Sequence, residues 1–286
     1  MTDAATARSY GKVFDTIAAE YDRNRPTYPD ELIEHACEHA ELSPGDPVLE
    51  LGCGTGQLTK SLLAHGLNVT ALEPGEQLIA LAAKNLEHLG EVRLLNSRLE
   101  EASLPRGHFK AAFAASSFHW IDPDVSWRLV ADALEPNGSF VLIQYFGLSD
   151  EWGGPDDEEL VAAMTRVAPE LATDWRIYPD LEATLAGVEQ RADNISELWA
   201  WLTGKELARD YVRELFEPTQ TATVPFRLEH TPEELNPLLG TMSFWARLSP
   251  AQRGAITAAT EALHQRLGRP IRSSTVAVAV SATRRG

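Results

Sequence analysis

Pro47-Val48-Leu49-Glu50-Leu51-Gly52-Cys53-Gly54-Thr55-Gly56 is a short apolar run with one embedded acid, ending in three glycines at alternate positions. A strand buried on both faces of a parallel sheet is apolar throughout, and glycines at its carboxyl end let backbone approach a ligand because no Cβ stands in the way. Gln57 onward opens a helix whose free N–H groups face the same place. The combination predicts strand, glycine bend and helix N-terminus around a nucleotide-like cofactor. An acid about twenty residues on, at the end of the second strand, is expected to meet ribose hydroxyls. Glu73 closes Leu67-Asn68-Val69-Thr70-Ala71-Leu72-Glu73-Pro74 at that spacing. The dinucleotide fingerprint G-x-G-x-x-G, begun at Gly52, calls for a third glycine where this chain has Gln57, which disfavours NAD and FAD.

Outward from this unit, strands are read near 47–51, 68–73, 91–96, 111–116 and 138–146, with helices near 57–65, 75–88 and 122–135. Such alternation specifies an α/β, doubly wound parallel sheet with its ligand at the carboxyl edge. Upstream lie a helix-prone segment at about 10–22 and a second helix started by Tyr28-Pro29-Asp30 and running to about His39. Glu135-Pro136-Asn137-Gly138 reads as a turn into the fifth strand, and Asp122 before Pro123 as a helix N-cap. After Leu148 the alternation stops, and about seventy residues read as helices without strands. Strand patterning returns at Thr221–Arg227 and Thr275–Ala282, around helices at 232–246 and 250–267. The expected organisation is a helical cap (1–45), a core (46–147 and 221–286) and a mainly helical insertion between strands five and six (148–220). The insertion carries Trp152, Trp175, Tyr178, Trp199, Trp201, Tyr211 and Phe216, which suit either its own core or the wall of an apolar pocket.

Acids outnumber bases by 42 to 25 in the 286 residues, for a net charge of −17. Clustered Lys and Arg are what phosphate binding requires, so a small-molecule partner is expected and nucleic acid is not. Cys37 and Cys53 are the two cysteines; their spacing suits neither a metal site nor a disulfide framework, and no metal is expected. No basic-then-apolar leader and no apolar run of roughly 18 residues is present, so a cytoplasmic protein without a membrane partner is expected.

The pair E-L-G-C-G-T-G and A-L-E-P resembles the Rossmann-like class of S-adenosylmethionine-dependent methyltransferases. The resemblance implies a seven-stranded sheet whose last strand is antiparallel, with S-adenosyl-L-methionine as cofactor. It places the methionine part against Gly52, Cys53, Gly54 and Gly56, the ribose on Glu73 beside Pro74, and Glu50 near the amino group. It also brings Leu99 to the adenine, although Arg98 stands where the class commonly has an acid. Phe14–Pro29, Ser116–Pro123 and Met242–Pro250 are similar to stretches of a subgroup that includes trans-aconitate methyltransferase-like and natural-product tailoring enzymes. That narrower likeness implies that Tyr21, Arg25 and Tyr28 fold over the cofactor, with Arg25 or Tyr21 near its carboxylate, and that Ser116 lines the site.

An activated sulfonium methyl asks mainly for positioning and exclusion of water, and for a base only when the acceptor must lose a proton. His119 is the best-placed base, with Tyr145 and Tyr21 as further catalytic candidates; a histidine that merely shapes the floor beside Trp120 is the plain alternative. Trp175, Arg176 and His119 are candidate contacts to the acceptor, which is expected to be small, apolar or aromatic, and able to bear a carboxylate. Oxygen, nitrogen and carbon acceptors all remain open, as does a homo-oligomer. A sensor or scaffold that binds the cofactor without turnover is the alternative from another class.

Overall fold

The computed structural model describes residues 13–172, 174, 177–178 and 180–286. Its centre is a sheet in the order β3-β2-β1-β4-β5-β8-β7, made of β1 (Pro47–Leu51), β2 (Asn68–Leu72), β3 (Val92–Leu95), β4 (Phe109–Ala115), β5 (Leu134–Leu148), β7 (Gln220–His230) and β8 (Ile271–Thr283). Strands β1 to β5 run parallel, while β8 lies antiparallel between β5 and β7. This is the seven-stranded, doubly wound sheet expected, with the last strand reversed.

The apolar runs fill both faces as the buried-strand reading requires. Leu49, Leu51, Ala112, Ala114, Phe140, Leu142, Val278 and Val280 point to one core. Val48, Ala111, Phe113, Val141, Ile143, Ala277 and Ala279 point to the other. The second face is covered by α2 (Asp30–His39), α3 (Gln57–Ala64) and α4 (Glu76–Leu86). The small side chains of Ala277 and Ala279 let α2 approach closely with Leu32, Ile33 and Ala36. Helix α2 begins where Pro29 sets the turn, with Asp30 and Glu31 in its first turn complementing the helix dipole. A helical turn at 13–16 and α1 (Ala18–Asn24) lie across the carboxyl edge, within and just beyond the expected helix at 10–22, whose residues 10–12 lie outside the described residues.

The first face carries α5 (Ser126–Ala133) and, from the insertion, α7 (Leu181–Glu189), α8 (Ile195–Thr203) and α9 (Val212–Leu215), bound through Val188, Ile195, Leu198, Trp199 and Phe216. Helix α6 (Gly154–Val167), the first of the insertion, instead packs with α10 (Pro232–Gly240) and α11 (Pro250–Leu267) around a third core of Leu160, Met164, Leu235, Leu239, Phe244 and Ile256. Capping boxes at Thr231/Glu234 and Ser249/Gln252, each followed by Pro at the first helical position, start α10 and α11 where the pattern placed them.

Three local readings are corrected. Strand β5 starts at Leu134, opposite Phe109, and 135–138 bulge out of register before Ser139 meets Ala111. Asn137, at φ +64, absorbs the bend inside a strand that the sequence reads as a turn. Asp122 caps a turn through Asp124 N–H, and α5 starts later, at Ser126. The insertion includes a two-residue strand, β6 (Ile177–Tyr178), paired with Gly147 and Leu148 where β5 outruns β4.

Candidate active site

Strand order reverses at β1, which has β2 on one side and β4 on the other, so a crevice opens at their carboxyl ends. Gly52, Gly54 and Gly56 leave β1 with φ of +72°, +59° and +94°, a left-handed conformation that side-chain-bearing residues rarely adopt. The bend stays stitched to the sheet because Gly52 and Cys53 N–H both donate to Leu72 O, at 2.8 and 3.0 Å. A Cβ on Gly52 would lie 2.6 Å from Ser117 Cβ, and Ser117 Oγ itself donates to Leu51 O. Gly52 is therefore required by its neighbour Ser117, just past the end of β4, as well as by the turn. Gly52→Ala is expected to lose about 2 kcal/mol or more, from the left-handed φ together with displacement of Ser117. Thermal denaturation would show this as a clear fall in Tm; an unchanged Tm would mean that the bend tolerates a side chain.

Glu73 follows the last residue of β2 with its carboxylate turned back to this bend. Oε2 accepts from Gly54 N–H at 3.0 Å and Oε1 from Gly75 N–H at 2.8 Å, and the side chain is only 6% exposed. Burial raises its pKa, against the two backbone N–H groups that lower it. Pro74 beside it is exposed. Asn96, from the end of β3, donates to Glu73 O at 2.9 Å and fastens the acid's backbone; no sequence signal singled it out. Leu99 is buried in the first core, next to the partly buried Arg98.

Glu50 sits inside β1, 2% exposed, and its Oε2 accepts from Thr59 Oγ1 on α3 at 2.7 Å. Burial pushes its pKa up to about 7, Thr59 opposes the shift, and the charge of Glu73 adds to it. Cys53 is buried in the bend, which drives its thiol pKa well up and leaves it un-ionised.

The N-terminal segment closes over these groups. Tyr21 stands 3.6 Å from where a Gly54 Cβ would be, and burial raises its phenol pKa. Arg25 lies over the Tyr21 ring at 5.2 Å and donates through Nη2 to Thr241 O at 2.7 Å, tying α1 to the end of α10. Asp15 accepts from Gln77 and Leu78 N–H at 2.7 and 3.1 Å, capping α4 beside Glu73. Tyr28 OH donates to Ser116 Oγ at 3.3 Å; Ser116 has φ +53 at the end of β4, and the Tyr28 ring stacks on Tyr145 at 5.3 Å. Tyr145 OH donates to Thr27 O at 2.5 Å, so the structure uses this hydroxyl to hold the N-terminal segment. A narrow cleft remains, lined among others by Tyr21, Arg25, Tyr28, Glu50, Gly52, Cys53, Gly54, Ser116 and Tyr145.

His119 lies in the short 3₁₀ turn Phe118–Trp120, past the end of β4. Its Nδ1 is buried with no hydrogen-bond partner among the described residues, and burial, Lys205 and Arg25 together lower its pKa to about 3. Its imidazole is therefore neutral and weakly basic at physiological pH. Gln144 Oε1, on β5 one residue beyond the last β4 pairing, is another buried polar atom without a partner among the described residues, and sequence reading missed it. Of the insertion aromatics, Trp199 and Phe216 are core, Trp201 and Tyr211 pack against it half-buried, and Trp152 lies between Arg227 and Arg272. Trp175 and Arg176 lie outside the described residues. Among the described residues no cluster of three His, Cys, Asp or Glu could hold a metal, and no helix is long and apolar enough to cross a membrane.

Residues 49–142 match the family model of a methyltransferase domain. An uncharacterized methyltransferase of Mycobacterium tuberculosis is 34% identical over 130 residues, which cover 46% of this chain and 51% of that protein. The chain thus spans about half the length of the curated relatives it matches. Among solved structures, a protein of Anaeromyxobacter dehalogenans described as a type II methyltransferase superposes with TM-score 0.56 at 24% identity, over 91% of this chain and 97% of that one. Phosphoethanolamine N-methyltransferase 2 of Haemonchus contortus, in complex with S-adenosylhomocysteine, superposes with TM-score 0.51 at 15% identity, over 100% of this chain and 61% of that one. At those identities the structural likeness is one of fold. Sequence match, strand order and the glycine bend agree: residues 49–142 are similar to a methyltransferase domain, and the sheet that carries them has the Rossmann-like fold of the methyltransferases it superposes on.

Proposed function

We propose that this chain transfers the methyl group of S-adenosylmethionine to a small acceptor, apolar or aromatic and able to bear a carboxylate, by in-line displacement. The observation that carries the reading is the juxtaposition of Glu73 with the glycine bend, its carboxylate hydrogen-bonded to Gly54 N–H at 3.0 Å. The residues present fit the group. In the proposed complex the bend receives the amino-acid tail, Glu50 faces the ammonium, and Glu73 keeps its bond to Gly75 N–H, releases Gly54 N–H and accepts from both ribose hydroxyls. The cofactor supplies an electrophilic methyl carbon. Tyr21, Arg25 and Tyr28 close the cleft and exclude water while the acceptor atom, the methyl carbon and the sulfur are held in line.

His119 supports the reading as a wall or hydrogen-bonding residue more than as a base. A group whose conjugate acid has a pKa of about 3 is poorly matched to removing a proton from an alcohol or amine at neutral pH. An acceptor that already carries its nucleophilic lone pair as an anion needs no such base. Incubating the protein with S-adenosylmethionine and a panel of small aromatic acids, phenols and amines, and measuring S-adenosylhomocysteine formed, tests the proposal. Turnover with one class is expected and would exclude a role limited to sensing. Cofactor binding without turnover across the panel would favour the sensing role.

A further inference from the structure

A second cavity, of about 340 Å³, opens between α5, α9 and the segment that follows β8. Its wall on α5 is Arg128, Ala131 and Asp132, whose i, i+3, i+4 spacing puts them on one helix face. Glu214 and Leu215 of α9, and Arg284, Arg285 and Gly286 beyond β8, line the rest. Because β8 runs antiparallel to β5, Arg284 emerges at the amino edge of the parallel strands, its backbone N–H donating to Gly138 O at 2.7 Å. The cavity is therefore separate from the crevice at the glycine bend and shares no lining residue with it. Three guanidiniums line it in a chain of net charge −17. Each is held in place. Arg128 lies over the Tyr211 ring at 4.5 Å, and Arg284 Nη1 donates to Leu134 O. Arg285 donates through Nε to Arg213 O and Phe216 O, at 3.1 Å each, and through Nη1 to Glu217 Oε1 at 2.7 Å. These bonds orient the forks and leave Nη2 of both Arg284 and Arg285 without an acceptor among the described residues. The acidic side chains of the wall do not neutralise them: Asp132 is taken by Arg106 at 2.9 Å, and Glu214, like Arg128 and Arg284, enters no ion pair among the described residues. A concavity lined mostly by one sign of charge focuses the field on what enters it.

We propose that this cavity is a second binding site, for a small phosphate-bearing anion whose phosphate is taken by Arg128, Arg284 and Arg285. Guanidinium forks arriving from different elements suit a tetrahedral group with three terminal oxygens, whereas a carboxylate offers only two, in one plane. Forks already fixed by Tyr211 and by backbone carbonyls lose little freedom when the anion binds. Ala131 and Leu215 give an ester's organic part an apolar surface beside them. The inference stands apart from the proposed methyl transfer. Without a ligand, the same arginines would serve the fold alone, Arg128 by covering Tyr211 and the other two by bonding carbonyls. Glu214 separates the two roles: an acid on the wall of an anion site weakens binding, and on a purely structural surface it has no ligand to repel.

Phenyl phosphate, inorganic phosphate and benzoate, each titrated into the full chain by isothermal calorimetry, provide the test. Phenyl phosphate is expected to bind with a Kd of about 0.1–1 mM, and benzoate about tenfold or more weakly than that. Arg128→Gln, at an exposed side chain that makes no hydrogen bond to backbone, should weaken phenyl phosphate about tenfold, and Arg128→Lys should recover part of the loss. Glu214→Gln should tighten binding by about two- to threefold, since it removes a negative charge from the wall. Arg93→Gln, on β3 at the far edge of the sheet, should leave affinity unchanged. Thermal denaturation shows that each variant is folded. Tighter binding of the ester than of inorganic phosphate supports the site as one for a phosphorylated metabolite, and equal binding supports it as one for free phosphate. Saturation by neither phosphate up to about 10 mM, benzoate bound as tightly as phenyl phosphate, or equal phenyl phosphate affinity in Arg128→Gln and wild type would overturn the assignment.

Discussion

Glu73→Ala is expected to weaken S-adenosylmethionine binding by about a hundredfold or more, the loss of two charge-assisted hydrogen bonds at roughly 1.5 kcal/mol or more each. The carboxylate is already held at the right place, since it is 6% exposed and both its oxygens are fixed by backbone N–H groups of the bend and of Gly75. Little ordering remains to be done when ribose hydroxyls replace Gly54 N–H, so most of the new bonding appears as affinity. Glu73→Gln keeps the shape and retains one acceptor oxygen, and should fall between wild type and the alanine variant. Isothermal calorimetry provides the comparison, with thermal denaturation to show that the apoprotein still folds. Equal affinity in Glu73→Ala and wild type would mean that ribose is held elsewhere.

Glu50→Gln should move stability and binding in opposite directions. The Glu50 carboxyl has a pKa of about 7 in the folded chain against 4.5 unperturbed, with burial the main cause. Because the folded state holds this proton more tightly than the unfolded state, the group's contribution is fully present below about pH 4.5 and is lost as pH rises through 7. Above pH 7 the buried charge costs up to about 3 kcal/mol, from the size of that shift at 1.36 kcal/mol per unit. Urea denaturation should then find Glu50→Gln more stable than wild type at pH 8, by up to about that amount, and close to it at pH 5. On the proposed placement of the cofactor's ammonium beside Glu50, the same variant loses about tenfold or more in affinity. Wild-type affinity should fall by up to about tenfold per pH unit below 7, as the carboxyl takes up a proton that the ammonium must displace. A variant less stable than wild type at pH 8, or wild-type affinity flat between pH 6 and 8, would show that Glu50 is neither the strained nor the binding acid.

Strand, bend and acid were legible because each follows from local chemistry at fixed spacing. A parallel strand buried on both faces must be apolar, as Val48, Leu49 and Leu51 are, and left-handed backbone must be glycine, as it is at Gly52, Gly54 and Gly56. The starts of α10 and α11, at 232 and 250, were equally readable from the helical pattern. Contacts between segments far apart in the chain were not. Ser117 pressing on Gly52, Asn96 holding Glu73, and Arg25 reaching Thr241 are set by strand order and by the path of the N-terminal segment, on which no periodicity bears. The insertion shows the same limit. Its helical pattern was evident, yet nothing in it distinguished α6, which joins α10 and α11, from α7 to α9, which cover the sheet. Tyr145 reads as a catalytic hydroxyl by position alone, whereas its bond to Thr27 O and its stack on Tyr28 give it a fastening role in this state.

The central claim, that the glycine bend and Glu73 together receive the cofactor, is tested most directly by a crystal structure of the full chain with S-adenosylhomocysteine at saturating concentration. The account predicts the amino-acid tail against Gly52–Gly56, the ribose hydroxyls on both Glu73 oxygens, and Gly54 N–H released from Oε2. Ligand bound away from the β1–β4 crevice, or Glu73 still bonded to Gly54 with the ribose held by other residues, would contradict it.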